Sequence, residues 1–486
     1  MPEAFASGIF ICLVPANLLF LNAKGGTMYK LLFALLFIAP QGFAADVVSS
    51  TDSAKIVNNA AAKLFVQLAK PGENLVFSPY SLAVAMGMAY EGARGETAAQ
   101  IAKVMGFGTQ EETRAGFQNI VQQLATDSGE NKFLTANAFW AQENYHFLPE
   151  YTGNLKTGYG AEAHNFSGNP AAEINKWVEE ATMGRIPKII SSSSVDKNTL
   201  LMLINATYFK GKWKDEFKNE RTKPAFFRMC TGDGYLTPMM HQISSGDYAD
   251  KGTYRVLKKD YTGHQFSMVI LLPKSDDGLT SLEVLLSTTG FDPMISELKS
   301  RMINLFLPRF AIDSNLDDMR PLVKSLGIQN AFGPDANFTG VSKRNDIYIN
   351  LFRQMANIKI NEQGTEAAAA TNASMIMGIT VDDNPDRPVP FRADHPFIYI
   401  LRHNPSGTIL FAGEYGKKKL KVYKTGELSK EEMNKATKSR ENSDEQIKMQ
   451  NIMLESCDKC LAGITPDLCS KFIDDITMNF SNKATA

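Results

Sequence analysis

Few residues in this 486-residue chain stand at spacings that could do chemistry, and each such group reads more simply without it. Cys457-x-x-Cys460 has the spacing of half a zinc site or of a redox dithiol. Zinc needs four ligands, yet no histidine follows His403, and the strand context of a redox motif is missing. Structural disulfides, for instance Cys460 to Cys469, are the preferred reading. Ser194-Val-Asp-Lys197 matches the Ser-x-x-Lys spacing of a nucleophile and its base, but it closes the serine run 191–194 and reads as a solvated loop. The carboxylate pairs Asp317-Asp318 and Asp382-Asp383 read as solvated surface. There is no Gly-x-Ser-x-Gly elbow, no His-Glu-x-x-His helix and no phosphate-binding glycine loop. The chain is therefore read as no enzyme, with no metal and no cofactor.

The chemistry that remains is that of a backbone segment. Residues 362–377, Glu-Gln-Gly-Thr-Glu-Ala-Ala-Ala-Ala-Thr-Asn-Ala-Ser-Met-Ile-Met, fit both an exposed loop and a buried strand. At the strand period of two, Thr365, Ala367, Ala369, Thr371, Ala373 and Met375 share one face, and Glu366, Ala368, Ala370, Asn372 and Ser374 the other. The first face is small and almost uncharged. A segment that slides between two existing strands needs such a face, because a large or charged side chain there would block it. The composition thus predicts a loop that can become a central strand. Gly364 gives its base backbone freedom, and Thr365 is expected near solvent in the resting loop. A short helix over 366–370 stays open as the resting conformation, alanine being the best helix former.

Glu362-x-Gly364-Thr365-Glu366-Ala367-Ala368-Ala369-Ala370-Thr371 resembles the hinge of an inhibitory serpin reactive loop. Five further segments resemble serpin motifs, in the family's order: 74–81 (Asn-Leu-Val-Phe-Ser-Pro-Tyr-Ser), 92–97 (Gly-Ala-Arg-Gly-Glu-Thr), 205–213 (Asn-Ala-Thr-Tyr-Phe-Lys-Gly-Lys-Trp), 307–310 (Leu-Pro-Arg-Phe) and 391–397 (Phe-Arg-Ala-Asp-His-Pro-Phe). Together they cover about residues 50 to 415. The resemblance implies an α+β fold of three β-sheets with eight or nine helices and an exposed reactive-centre loop. It implies suicide inhibition of a serine protease: the loop is cut as a substrate, and the freed end inserts into the central sheet while the acyl-enzyme is still attached. Family spacing puts the cut at Gly378-Ile379, with Met377-Gly378 as competitor. With neither Arg nor Lys between Thr365 and Val381, the expected targets are chymotrypsin-, elastase- or subtilisin-like. The resemblance also makes Ser78, Ser81 and Asn205 members of a buried shutter network and Trp213 the aromatic where insertion begins. Gln354 stands where most of the family has histidine; an amide donates and accepts, so the network could survive, without a histidine's pH response. The rival reading is a non-inhibitory serpin acting as carrier or chaperone, for which bulky, charged or proline residues would be expected in the hinge.

The elements that must position this segment follow from periodicity. Ile56, Val57, Ala60, Ala61, Leu64, Phe65 and Leu68 recur at helical spacing, predicting an amphipathic helix over 53–69. Residues 200–209 and 266–272 are short apolar runs of buried-strand type. With 51 Lys and Arg against 52 Asp and Glu, the charge balance argues against nucleic acid or an anionic membrane as partner.

Residues 1–44 read as a leader. Its parts are Met28-Tyr-Lys30 as the preferred start, an apolar run over 31–40 too short for a stable membrane span, and cleavage after Ala44. This predicts a secreted, extracellular protein (periplasmic in a bacterium), a monomer until it meets its protease. Residues 45–416 form the serpin-like domain. Residues 417–486 form a charged extension whose apolar stripes predict a helical hairpin. Cleavage leaves Cys230, Cys457, Cys460 and Cys469, too few for a disulfide scaffold.

Overall fold

The computed structural model describes residues 50–70, 72–125, 130–229, 234–365 and 388–416. The leader, hinge residues Glu366 to Ala370, the bait Met377, Gly378 and Ile379, the extension and all four remaining cysteines lie outside the described residues.

The first helix, Ser50–Leu68, buries the face its spacing predicted, with Val57, Ala60, Ala61, Leu64 and Phe65 in the core. The next, Pro79–Gly92, is buried at all 14 positions, as a helix apolar on every side must be. Ser78 caps it by accepting from the Ser81 amide, and Pro79 fills the first turn, where its missing N–H is not needed. The predicted strands appear as Leu201–Lys212 and Phe266–Pro273. Nine α-helices occur among the described residues, and none is long and apolar enough to cross a membrane.

Hydrogen bonding connects the strands of the described residues into two sheets. The six-stranded sheet runs in the order Phe310–Leu316, Ile349–Ile360, Gly364–Thr365, Leu201–Lys212, Lys132–Gln142, Glu162–Phe166. The other has nine strands. Its long member Gly234–Asp250 pairs with Lys223–Arg228 at one end and Tyr254–Asp260 at the other, so two of the three implied sheets are hydrogen-bonded here into one. Most of the core surrounds Pro79–Gly92. A second, smaller cluster lies on the outer face of the six-stranded sheet, where helix Ala171–Ala181 and the chain after it cover Met202, Ile204, Ala206 and Leu351.

Candidate functional site

The candidate site is the seam between Leu201–Lys212 and Ile349–Ile360. These strands pair directly and in parallel from Ile349 opposite Leu201 to Asn357 opposite Tyr208. Beyond that point a third strand separates them. The chain turns after Ile360, with the Asn361 side chain accepting from the amides of Gln363 and Gly364, both at 3.1 Å. Gly364 and Thr365 then enter between the two strands: Thr365 lies opposite Ile360 on one side and Gly211 on the other. Gly364 adopts φ +155°, and a Cβ there would run into the Gly211 carbonyl, so glycine is required for both backbone and space.

Thr365 corrects an expectation. It is 1% exposed, and its Oγ1 lies 2.6 Å from the Tyr261 hydroxyl. The turn at 361–363 has already carried the start of the hinge into the sheet, and Tyr261 satisfies the hydroxyl that would otherwise be buried alone.

Trp213 roofs this end of the seam. Its indole donates to the Asn361 carbonyl at 3.0 Å, its amide to Gln363 at 2.8 Å, and its ring stacks on Tyr261 with centroids 4.3 Å apart. Glu362 is buried beside it. Burial alone would raise its pKa, but hydrogen bonds from Arg309 and Thr222 outweigh that and hold it below the usual carboxylate range. Four residues singled out from sequence, Glu362, Gly364, Thr365 and Trp213, therefore meet here. Tyr261 and Arg309 were not foreseen as partners. The Leu-Pro-Arg-Phe motif contained Arg309, whereas no local signal marks Tyr261.

Lys259 is a further unforeseen member, 6% exposed. Its Nζ donates to the Asp215 carbonyl at 2.7 Å and lies 5.2 Å from the Trp213 ring centroid and 5.0 Å from that of Phe217. Desolvation lowers its pKa to about 7, against the opposing pull of Asp215 and Asp260. In the unfolded chain this lysine stays charged up to about 10.4. Its penalty on folding is therefore full below pH 7 and fades as pH rises towards that value. Lys259→Met is expected to raise stability by up to about 4 kcal/mol at pH 6.5, shrinking to about 1 kcal/mol at pH 9.5. Urea midpoints of both proteins at the two pH values would show it, and a gain independent of pH would refute it.

The middle of the seam holds the second group. Gln354 on one strand accepts from the Ser78 amide at 3.0 Å and donates to the Ser78 carbonyl at 2.9 Å. It also reaches Asn205 across the seam at 3.4 Å. Asn205 donates to the Ser81 carbonyl at 3.1 Å and to Asn137, while the Ser81 and Thr207 hydroxyls share a hydrogen bond. Ser78 Oγ donates to the Leu410 carbonyl at 2.7 Å. Ser78 is thus both cap and network member. The amide of Gln354 uses donor and acceptor at once, as its chemistry allowed. Gln354→Leu leaves the buried Ser78 amide and carbonyl without this partner, and should cost about 2–4 kcal/mol. The expected sign is a lower urea midpoint with unchanged slope; no change would mean that the network carries no stability.

The seam is a place where two strands pair directly, with a third already started between them at one end.

Comparisons with known proteins agree with this architecture. The family model described as Serpin (serine protease inhibitor) matches residues 55–417. The leukocyte elastase inhibitor of Sus scrofa is 36% identical over 356 residues, 71% of this chain and 93% of that protein. That of Homo sapiens is 35% identical over 372 residues, 73% and 96% respectively. Among solved structures, Serpin48 of the insect Tenebrio molitor, described as highly specific, superposes with a TM-score of 0.68 at 28% identity, covering 78% of this chain and all of that one. Human thyroxine-binding globulin superposes with a TM-score of 0.67 at 25% identity, covering 75% and 98%.

Proposed function

Because the chain belongs to the serpin family, serine protease inhibitors rather than catalytic enzymes, we propose that it traps its protease as a suicide substrate, by inserting the cleaved loop into the six-stranded sheet. The observation that carries this reading is the position of Gly364 and Thr365, paired on both sides between strands that close directly beyond them. A chain continuing past Thr365 need only part the seam ahead of it. The small face at 367, 369, 371 and 373 suits the space it would enter. In this reading Glu362 to Ala370 are the hinge, Trp213 roofs the entry, and Ser78, Ser81, Asn205 and Gln354 hold the seam shut until cleavage.

The bait is Gly378-Ile379 or Met377-Gly378, and the targets are chymotrypsin-, elastase- or subtilisin-like. The protein acts as a monomer, with residues 45–416 as the inhibitory domain and 417–486 as a separate extension. The leader-like segment 28–44 supports action outside the cell, which N-terminal sequencing of exported protein would test.

Incubation with a panel of such proteases should give a covalent complex that survives boiling in detergent, and mass spectrometry should place the cut between Met375 and Thr380. If every protease cuts the loop and departs free and active, the suicide reading is wrong, and a carrier or chaperone becomes the better account.

A further inference from the structure

Arg353 stands in the middle of the seam strand Ile349–Ile360, opposite Ile204, on a sheet face otherwise occupied by Leu351, Met202 and Ala206. A guanidinium at such a place must be paired or it would cost several kcal/mol. It is 9% exposed, and Nη1 donates to the Ile189 carbonyl at 2.9 Å while Nη2 donates to Ser194 Oγ at 3.0 Å. Asp317, 65% exposed, adds an ion pair at 3.1 Å from Nη1. Two groups that read as surface from sequence, Ser194 and Asp317, thus serve one buried arginine.

The partners of Arg353 define its effect. Ile189 and Ser194 lie in the connection that follows helix Ala171–Ala181. Ile186, Ile189, Ile190 and Val195 of that connection share one apolar cluster with Met202, Ile204 and Ala206 of one seam strand and Leu351 of the other. The connection is also fastened to its helix: Asn175 accepts from the amides of Ile189 and Ile190 at 2.9 and 3.0 Å and donates to the Ile190 carbonyl at 2.9 Å. The cover therefore touches both seam strands, and Arg353 hydrogen-bonds it to one of them.

Admitting a new strand moves the two seam strands apart by about one strand spacing, ~4.8 Å. A hydrogen bond of 2.9 Å does not survive a fraction of that displacement. Either the Arg353 bonds break, or the cover travels with Ile349–Ile360 and loses its contacts with Leu201–Lys212 and with the helix. Both routes raise the barrier to opening, and the first is removed by removing the arginine. We propose that Arg353 is a positioning residue that latches the helix connection onto the sheet and slows admission of a strand. This rests on the insertion reading above.

The test uses the full chain without protease and a synthetic peptide of residues 365–378. Peptide uptake is followed by native electrophoresis and by the accompanying rise in melting temperature. Arg353→Met, which keeps an apolar side chain of similar length among apolar neighbours, should take up peptide about tenfold faster than the parent, the loss of roughly one charged hydrogen bond at the barrier. Arg353→Lys should fall between. Amide exchange at 189–195 should quicken in parallel, a readout that a merely packing role would not move. Uptake by Arg353→Met within twofold of the parent, in a protein of unchanged urea midpoint, would overturn the latch alone. If the parent takes up no peptide and loop cleavage leaves its melting unchanged, the insertion reading fails and the latch with it. Should Arg353→Met not fold, Ser194→Ala removes one of the two bonds and should accelerate uptake about threefold, and an unchanged rate there likewise overturns the proposal.

Discussion

Thr365→Arg is expected to convert the protein from an inhibitor into a substrate, lowering the yield of covalent complex relative to cleaved chain by about a hundredfold or more. The side chain at 365 is enclosed between two strands and under Tyr261. An arginine there has three outcomes: it is desolvated without a partner, it forces the sheet end apart, or it draws the hinge out into solvent. In the resting protein the third escape is open, at the expense of the few hydrogen bonds made by Gly364 and Thr365, so melting should fall by only a few degrees. In the inserted state the escape is closed, because residue 365 is then continuous with a strand held on both edges. The charge is left in the sheet at a cost of several kcal/mol. The mutation therefore penalises the product of insertion more than its starting point. Titrating the variant against a protease that the parent traps, and scoring complex against cleaved chain on a denaturing gel, reads the ratio directly. Glu366→Arg should be far milder, since alternation turns that side chain to the other face. Equal effects at 365 and 366 would sink the alternation.

Nicking the loop near Gly378 should raise the melting temperature by an amount on the order of 10–20 °C. The directly paired seam exchanges one parallel pairing for two antiparallel ones around a strand of about ten residues. Roughly ten additional hydrogen bonds at about 1 kcal/mol net each give that shift for a chain of this size. The small face of the segment adds burial without creating clashes. Melting curves recorded before and after limited proteolysis, with the cut mapped by mass spectrometry, decide the matter. Unchanged melting would describe a protein whose sheet no longer opens.

Local pattern alone was enough to read three elements of the fold, one of them a seam strand. The helical spacing of Val57, Ala60, Ala61, Leu64 and Phe65 specifies the buried face of the first helix, and the apolar runs at 200–209 and 266–272 specify strands, because each repeats at the period of its own backbone. Gly364 was legible as a hinge, and Gln354 as an amide able to donate and accept. The tertiary structure decided where those properties are used. Thr365 reads as a loop residue, yet the turn at Asn361 delivers it between two strands. Lys259, in a run of two lysines and an aspartate, reads as surface, but the strand pairing seats its ammonium against Trp213 and Phe217. Arg353 and Ser194, 159 residues apart, read as unrelated polar positions until the cover folds over the sheet. Period and propensity report which side of its own element a residue faces; whether that side meets water, an aromatic ring or a carbonyl depends on segments more than a hundred positions away, brought there by the burial of the whole core.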